Sequence, residues 1–182
     1  MLATAISVGT GAYLLVCLWV VAGRKPGYRH IEHTISELGE VGAPDQHLVA
    51  LGVFLPVGVL LLIVAWLVQS TARPAALLAL CIAIGYLGAA AFPCDRGAPL
   101  QGTWRQHLHN VAGGIEYVGG GLALIWLADW HGRAFKILGL AVLAATLALS
   151  SNAVRAMRGV IQRVAELCLL VGLAWAVWRA SS

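Results

Sequence analysis

Six stretches of this sequence, residues 2–23, 48–68, 75–92, 108–127, 135–151 and 159–178, are apolar and almost free of charge. Each has about the 20 residues that a helix needs to cross the roughly 30 Å hydrocarbon core of a bilayer. Backbone N–H and C=O groups find no water there, so a run of that kind must be a helix or part of a closed barrel. Barrel strands alternate in polarity over about ten residues, and these runs do not. The expected fold is therefore all-α: a polytopic membrane protein, a bundle of six transmembrane helices with both termini on one side. Composition agrees, with 60% apolar and 11% charged residues against roughly 45–50% and 25% in soluble domains. The six runs and their loops fill residues 1–182, so a single transmembrane domain is expected, with no room for a soluble one. The first run exceeds a signal-peptide core and has no basic residue before it, so it is expected to be retained.

The formal charge of +4 includes no basic run that could track a phosphate backbone, which argues against nucleic acid as a partner. Four cysteines, Cys17, Cys81, Cys94 and Cys168, lack a CxxC spacing and read as small core residues. The connections are uneven. Those near Thr71 and Gly132 are short, whereas loop 1 (24–47), loop 3 (93–106) and loop 5 (152–158) form an elaborate face. With the start of helix 6, that face has Arg24, Lys25, Arg29, Arg96, Arg105, Arg155, Arg158 and Arg163, against Arg73, Arg133, Lys136 and Arg179 opposite. Eight against four places loops 1, 3 and 5 in the cytoplasm of a cell (plasma or inner) membrane protein. Trp66, Trp126, Trp130, Trp175 and Trp178 near the opposite helix ends fit an interfacial belt. The halves show no internal repeat, so an inverted-repeat transporter gains no support.

Polar chemistry gathers on the elaborate face. His30, His33, His47, His107 and His109, with Glu32, Glu37, Glu40, Asp45 and Asp95, lie in loops 1 and 3 or at the start of helix 4. Residues 31–41 have a helical period, with Ile31, Ile35 and Leu38 on one side and His33, Ser36, Glu37 and Glu40 on the other, so a short amphipathic helix is expected in loop 1. Thr34 followed by Glu37 also fits a capping box, in which the carboxylate would only hold a backbone N–H. Pro93 ends helix 3 and sets Asp95 at the membrane edge. Glu116 follows His109 by seven residues and shares its helix face. An acid at that depth is a functional candidate unless a buried partner such as Tyr86, Ser150 or Asn152 satisfies it. On the last helix Arg155, Arg158, Gln162 and Glu166 form one polar stripe with Arg163 beside it. Guanidinium binds carboxylate or phosphate bidentately, so the stripe can face loop acids or a lipid head group, although arginines near helix ends also snorkel without further role. Glycines 113, 114, 119, 120 and 121 read as packing devices, since no Walker-type lysine accompanies them.

Tyr28 with His33-Thr34-Ile35-Ser36-Glu37-Leu38-Gly39, then Phe92-Pro93-Cys94-Asp95, Leu108-His109-Asn110-Val111-Ala112, and Gly159-Val160-Ile161-Gln162-Arg163 together resemble the bacterial and archaeal membrane proteins of domain-of-unknown-function family 998. The resemblance covers nearly the whole chain and extends distantly to six-helix membrane proteins of the autophagy-modulator type. It implies a six-helix membrane fold and marks Ser36, Glu37, Gly39, Pro93, Asp95, His109, Gly159 and Arg163. The family carries no assigned reaction, and the link of some distant relatives to lipid remodelling is an analogy of fold.

The residues leave two main functions open. In one, the polar cluster handles a lipid or small amphiphile, with His33, Glu37, Glu116, Arg155, Arg163 and Glu166 as ligand-binding candidates and membrane lipid as partner. In the other, a membrane-embedded hydrolase or acyltransferase uses Ser36 as nucleophile or water positioner, His109 or His33 as base and Asp95 as orienter, with Arg163 holding a lipid phosphate or carboxylate. A zinc site of His33, Asp95 and His109 would serve hydrolysis as well. Neither Gly-x-Ser-x-Gly nor His-Glu-x-x-His is present to choose between them. Haem is disfavoured, because His33 lies in a loop and cannot face His109 across two helices. The sequence carries no signal of oligomeric state.

Overall fold

The structure is a computed structural model and describes residues 1–180. Every regular element among them is helical. Six rods follow one another: α1 (Leu2–Arg24), α2 (Gln46–Val68), α3 (Arg73–Ala91), α4 (Trp104–His131), α5 (Arg133–Leu149) and α6 (Arg158–Ala180). Five, all but α5, are long and apolar enough to cross a membrane. At 17 residues, α5 is the shortest rod. Outward faces carry exposed Leu15, Val16, Trp19, Leu51, Leu140 and Leu147, which in water would form an untenable apolar surface.

Each rod packs on its neighbours in sequence, α6 returns to α1, and α3 also touches α6, so the ring closes around a filled centre. Leu14, Leu61, Leu78, Ile82, Leu124, Phe135, Leu169 and Leu173 are fully buried there. Small residues set the approach. A Cβ on Gly121 would sit 3.3 Å from the Gly139 carbonyl, which is how α4 and α5 lie almost backbone to backbone. Of the five tryptophans, Trp66, Trp126, Trp130 and Trp178 are exposed, whereas Trp175 turns inward and stacks on Phe135 with ring centroids 4.6 Å apart.

Local chemistry sets the helix ends. Pro26 lies just beyond α1, and Pro93 just beyond α3, where each blocks continuation. Within α2, Pro56 lacks the N–H that would serve the Gly52 carbonyl. The turn before it widens into a π-helical stretch (Ala50–Phe54), and the Tyr13 hydroxyl of α1 donates to that carbonyl. Helix α4 starts at Trp104, four residues before the apolar run, because Thr103 caps it by accepting from the Gln106 N–H at 3.4 Å. It ends at Gly132, whose φ of 100° favours glycine. His107 and His109 are therefore in the first two turns of α4 rather than at its opening.

Loop 1 departs from expectation. In place of an amphipathic helix over residues 31–41 there is one 3₁₀ turn, Ser36–Gly39. Ile35 and Leu38 are buried as expected, but so are Glu37 and Glu40, while Ile31 is exposed. The segment folds inward over the bundle's end, and its carboxylates find partners there instead of water.

Candidate binding cavity

The fold holds the loop face together through α6. Gly159 lies against the carbonyls of His30, Ile31 and His33, and the Val160 N–H donates to Ile31 O at 3.1 Å. One turn on, Arg163 Nη1 donates to His30 O at 2.8 Å and His33 O at 3.0 Å, and Nη2 reaches the Tyr28 hydroxyl at 2.6 Å and His30 Nδ1 at 3.0 Å. The Gly-x-x-x-Arg spacing thus docks loop 1: glycine admits the backbone and arginine caps its carbonyls. Arg163, expected as a ligand-binding residue, is engaged here with loop 1 on both sides of its guanidinium and also lies on the wall of a groove between α1 and α6. Burial, then the nearby Arg163 charge, pulls the His30 pKa down from 6.5; burial pushes the Tyr28 phenol up.

A second layer joins loop 1 to loop 3. Glu37 accepts from the Thr34 N–H at 2.9 Å, completing the capping box, and its same oxygen Oε1 takes Arg158 Nη2 at 2.7 Å. Arg158 goes on to the Gly97 carbonyl at 2.6 Å and the Ala98 carbonyl at 3.3 Å. Lys25 pairs with Glu40 at 2.7 Å and donates to the Glu37 carbonyl, and Glu40 Oε2 receives the Gly97 N–H at 2.6 Å. The buried Cys94 thiol faces the Ser36 carbonyl at 3.4 Å. Burial, reinforced by Glu40 and Glu37, pushes its pKa up to about 12.

Loop 3 has its own frame. Asp95 accepts from the Thr103 N–H at 2.7 Å and hydroxyl at 2.8 Å, bonds that hold its carboxyl below the usual 3.8. Its own N–H donates to Gln106 Oε1 at 2.7 Å; Gln106 passes on to Asn110, and Asn110 to the Leu100 carbonyl. His109 Nδ1 lies 3.0 Å from the Phe92 carbonyl. A carbonyl only accepts, so Nδ1 carries a proton there.

Beneath these loops lies a cavity of about 370 Å³ lined by residues of loops 1, 3 and 5 and of α3 to α6. Of the expected site residues, Ser36, His109, Glu116 and Arg155 line it. Asp95 and His33 do not. Asp95 gives both oxygens to Thr103, so no Ser36–His109–Asp95 relay is assembled. His33 Nδ1 accepts the Arg29 N–H at 2.9 Å, and among the described residues no group of three or more His, Cys, Asp or Glu lies close enough to hold a metal. The zinc set of His33, Asp95 and His109 is therefore not brought together. Arg155 lies on a 3₁₀ turn (Asn152–Met157) broken by non-helical Val154, so the helical stripe begins at Arg158.

The cavity floor is a buried acid network. Glu166 accepts from Tyr117 at 2.7 Å and from Tyr86 at 3.1 Å. Gln162 Nε2 donates to the Tyr117 oxygen at 3.0 Å, and its Oε1 takes the Ile35 N–H at 2.6 Å. Tyr86, expected as a partner of Glu116, serves Glu166 instead. The Glu116 carboxyl adjoins that of Glu166 and rests against Gly85, where any Cβ would collide with it. Glu116 is 5% exposed, and its Oε1 has no partner among the described residues. The backbone here widens into a π-helical turn, Ile115–Gly119, a distortion common at functional sites.

Lys25, Arg158, Gln162 and Tyr117 escaped the site expected from sequence. Gln162 and Arg158 stood on the stripe beside Glu166, and only their direction was missing. Lys25 and Tyr117 had no sequence signal beyond adjacency.

A family model described as "Protein of unknown function (DUF998)" matches residues 7–179. The chain belongs to this family, and the motif residues that dock loop 1 and frame loop 3 lie within the match. No curated protein and no solved structure matches the chain.

Proposed function

We propose that this membrane protein binds an amphiphile by taking its polar head group into the cavity beneath loops 1, 3 and 5. One observation carries the reading: the buried Glu116 Oε1, without a partner, at the wall of a polar cavity of about 370 Å³. Leaving a buried polar atom unpaired costs about 1–3 kcal/mol, and a bound group that supplies the missing bond removes that cost. A second space supports an amphiphile over a water-soluble ligand. It is an apolar groove of about 560 Å³ between α1 and α6, lined by Leu14, Leu18, Leu167, Leu170 and Val171, with Glu166 also on its wall. Lipid tails fit such a surface, and the acid network lies between the two spaces.

In this reading the chain is one domain in a cell membrane. α5 crosses as a sixth span, since 17 residues reach the lower limit of about 17 for a crossing. Loops 1, 3 and 5 then face the cytoplasm. Five of the eight basic residues behind that orientation hold structural partners: Arg24, Lys25, Arg29, Arg158 and Arg163.

The test uses Gly113 and Gly114, which line the cavity and where a Cβ would meet nothing within 4 Å. Lipids retained by purified wild type, Gly113→Leu and Gly114→Leu are compared by mass spectrometry. A lipid retained by wild type and lost from both folded variants supports the proposal. Identical lipid content in all three refutes it.

A further inference from the structure

The cavity wall is polar from end to end, but donors and acceptors are divided by depth. On the loop side, Ser36, Ser151, Asn152, Arg155 and Arg158 line it. Arg155 stands exposed on its 3₁₀ turn, with no partner among the described residues. Arg158 commits only Nη2, to Glu37, Gly97 and Ala98, so Nη1 and Nε still have N–H groups to give. The Ser151 hydroxyl accepts the Ala153 N–H at 3.1 Å and keeps its own proton. The side chains of Ser36 and Asn152 make no hydrogen bond to the described residues. Deeper in, the sense reverses. Thr146 gives its proton to the Val142 carbonyl at 2.8 Å and keeps only lone pairs, and Glu116 Oε1 is buried without a donor. Arg158 and Glu166, whose carboxyl adjoins that of Glu116, are eight residues apart on α6, roughly 12 Å at 1.5 Å per residue, so no single small ion meets both ends. A ligand that suits this wall has an anion at one end and a hydroxyl at the other. Guanidinium pairs with phosphate through parallel N–H bonds. A hydroxyl can donate to Glu116 and also accept from the wall, whereas an ammonium only donates and a quaternary amine does neither. A neutral sugar would leave Arg155 without a partner.

Resting on the amphiphile reading above, we propose that the head group seated in the cavity is a phosphate-bearing polyol, its phosphate on Arg155 and the uncommitted N–H groups of Arg158 and its distal hydroxyl donating to Glu116 Oε1. The same chemistry can belong to a phosphoglycerol lipid head group or to a free glycerol phosphate.

The full-length protein in detergent is titrated, with native mass spectrometry as readout, against phosphatidylglycerol, phosphatidylcholine and monoglucosyl diacylglycerol of one chain composition. Wild type is expected to bind phosphatidylglycerol about tenfold or more tightly than either of the others, the size of one charge-assisted hydrogen bond. Arg155→Gln is expected to lower that affinity about tenfold and leave the glucolipid unchanged. Glu116→Leu is expected to remove the advantage over phosphatidylcholine, and Gly113→Leu to abolish binding of all three. Arg96→Gln deletes an exposed charge outside the lining and is expected to change nothing; a loss equal to that of Arg155→Gln would overturn the seat at Arg155. Displacement by millimolar glycerol 3-phosphate supports the proposal with the free phosphopolyol as source, and resistance supports it with the lipid as source. Equal binding of all three lipids in wild type, still lost in Gly113→Leu, would overturn the phosphopolyol inference and leave the amphiphile reading standing. Binding that Gly113→Leu leaves intact would overturn both. An advantage over phosphatidylcholine that survives Glu116→Leu would overturn the assignment to Glu116. Thermal melting of each variant confirms that it is folded.

Discussion

Two glycines in membrane helices should respond to alanine with opposite signs. At Gly159, the second residue of α6, a Cβ would press on the carbonyl oxygens of His30 and His33 and come within 2.9 Å of Ile31 O. All three are backbone atoms, so no side chain can rotate away. Overpacking of this kind costs about 1–3 kcal/mol. Pushing loop 1 outward also strains the Val160–Ile31 bond and the Arg163 bonds to His30 and His33, at about 1 kcal/mol each. Gly159→Ala should therefore cost about 4–6 kcal/mol, or a fall in melting temperature of roughly 8–24 °C at about 2–4 °C per kcal/mol. Gly113→Ala in α4 meets nothing within 4 Å and should gain about 0.5–1 kcal/mol from reduced backbone freedom in the unfolded chain. Thermal melts in detergent followed by size-exclusion fluorescence measure both, and tryptic cleavage at exposed Arg29 reports release of loop 1. A Gly159→Ala variant melting within about 1 °C of wild type, with loop 1 still resistant, would refute the docking role of the Gly-x-x-x-Arg motif.

Removing Arg158 leaves the Glu37 carboxylate buried without its cation; Arg158→Met should destabilise by about 3–5 kcal/mol, read as a loss of folded protein in the same melts. His30 takes a bond from Arg163 and has a folded pKa below 6.5. A group lowered in this way contributes its stability above the unfolded value and loses it as pH falls through the folded value. Wild type should therefore lose melting temperature between pH 7 and 5 by more than His30→Gln does, and parallel curves would refute the pairing. With its pKa near 12, Cys94 in a variant lacking the other three cysteines should resist maleimide at pH 7 while folded and react within minutes once denatured; rapid labelling of the folded protein would contradict its burial.

Several features were legible before any coordinates. Pro93 stops α3, Thr34 and Glu37 form the anticipated capping box, and His109 and Glu116 line one cavity, as seven residues of helix require. The amphipathic helix of loop 1 failed because its period also suits a compact 3₁₀ turn whose acids are claimed by Lys25 and Arg158, cations distant in sequence. Asp95 was expected to orient His109 in a Ser/His/Asp set, yet Thr103, eight residues on, supplies two donors and takes the carboxylate.

Length and polarity along the chain decide that it is a helical membrane protein, because hydrocarbon gives a backbone no partner but itself. Which way each helix faces is another matter. Lipid and protein interior are equally apolar, so a leucine gains little by pointing inward, and hydropathy alone cannot separate buried Leu169 from exposed Leu167. Facing is set by close approaches such as Gly85 on Glu116 and Gly159 on loop 1, and by polar groups that must meet one another. Those contacts join residues 45 to 135 positions apart, such as Tyr117 with Gln162 and Tyr28 with Arg163, and only the closed ring of helices brings them together and leaves Glu116 with an oxygen to offer.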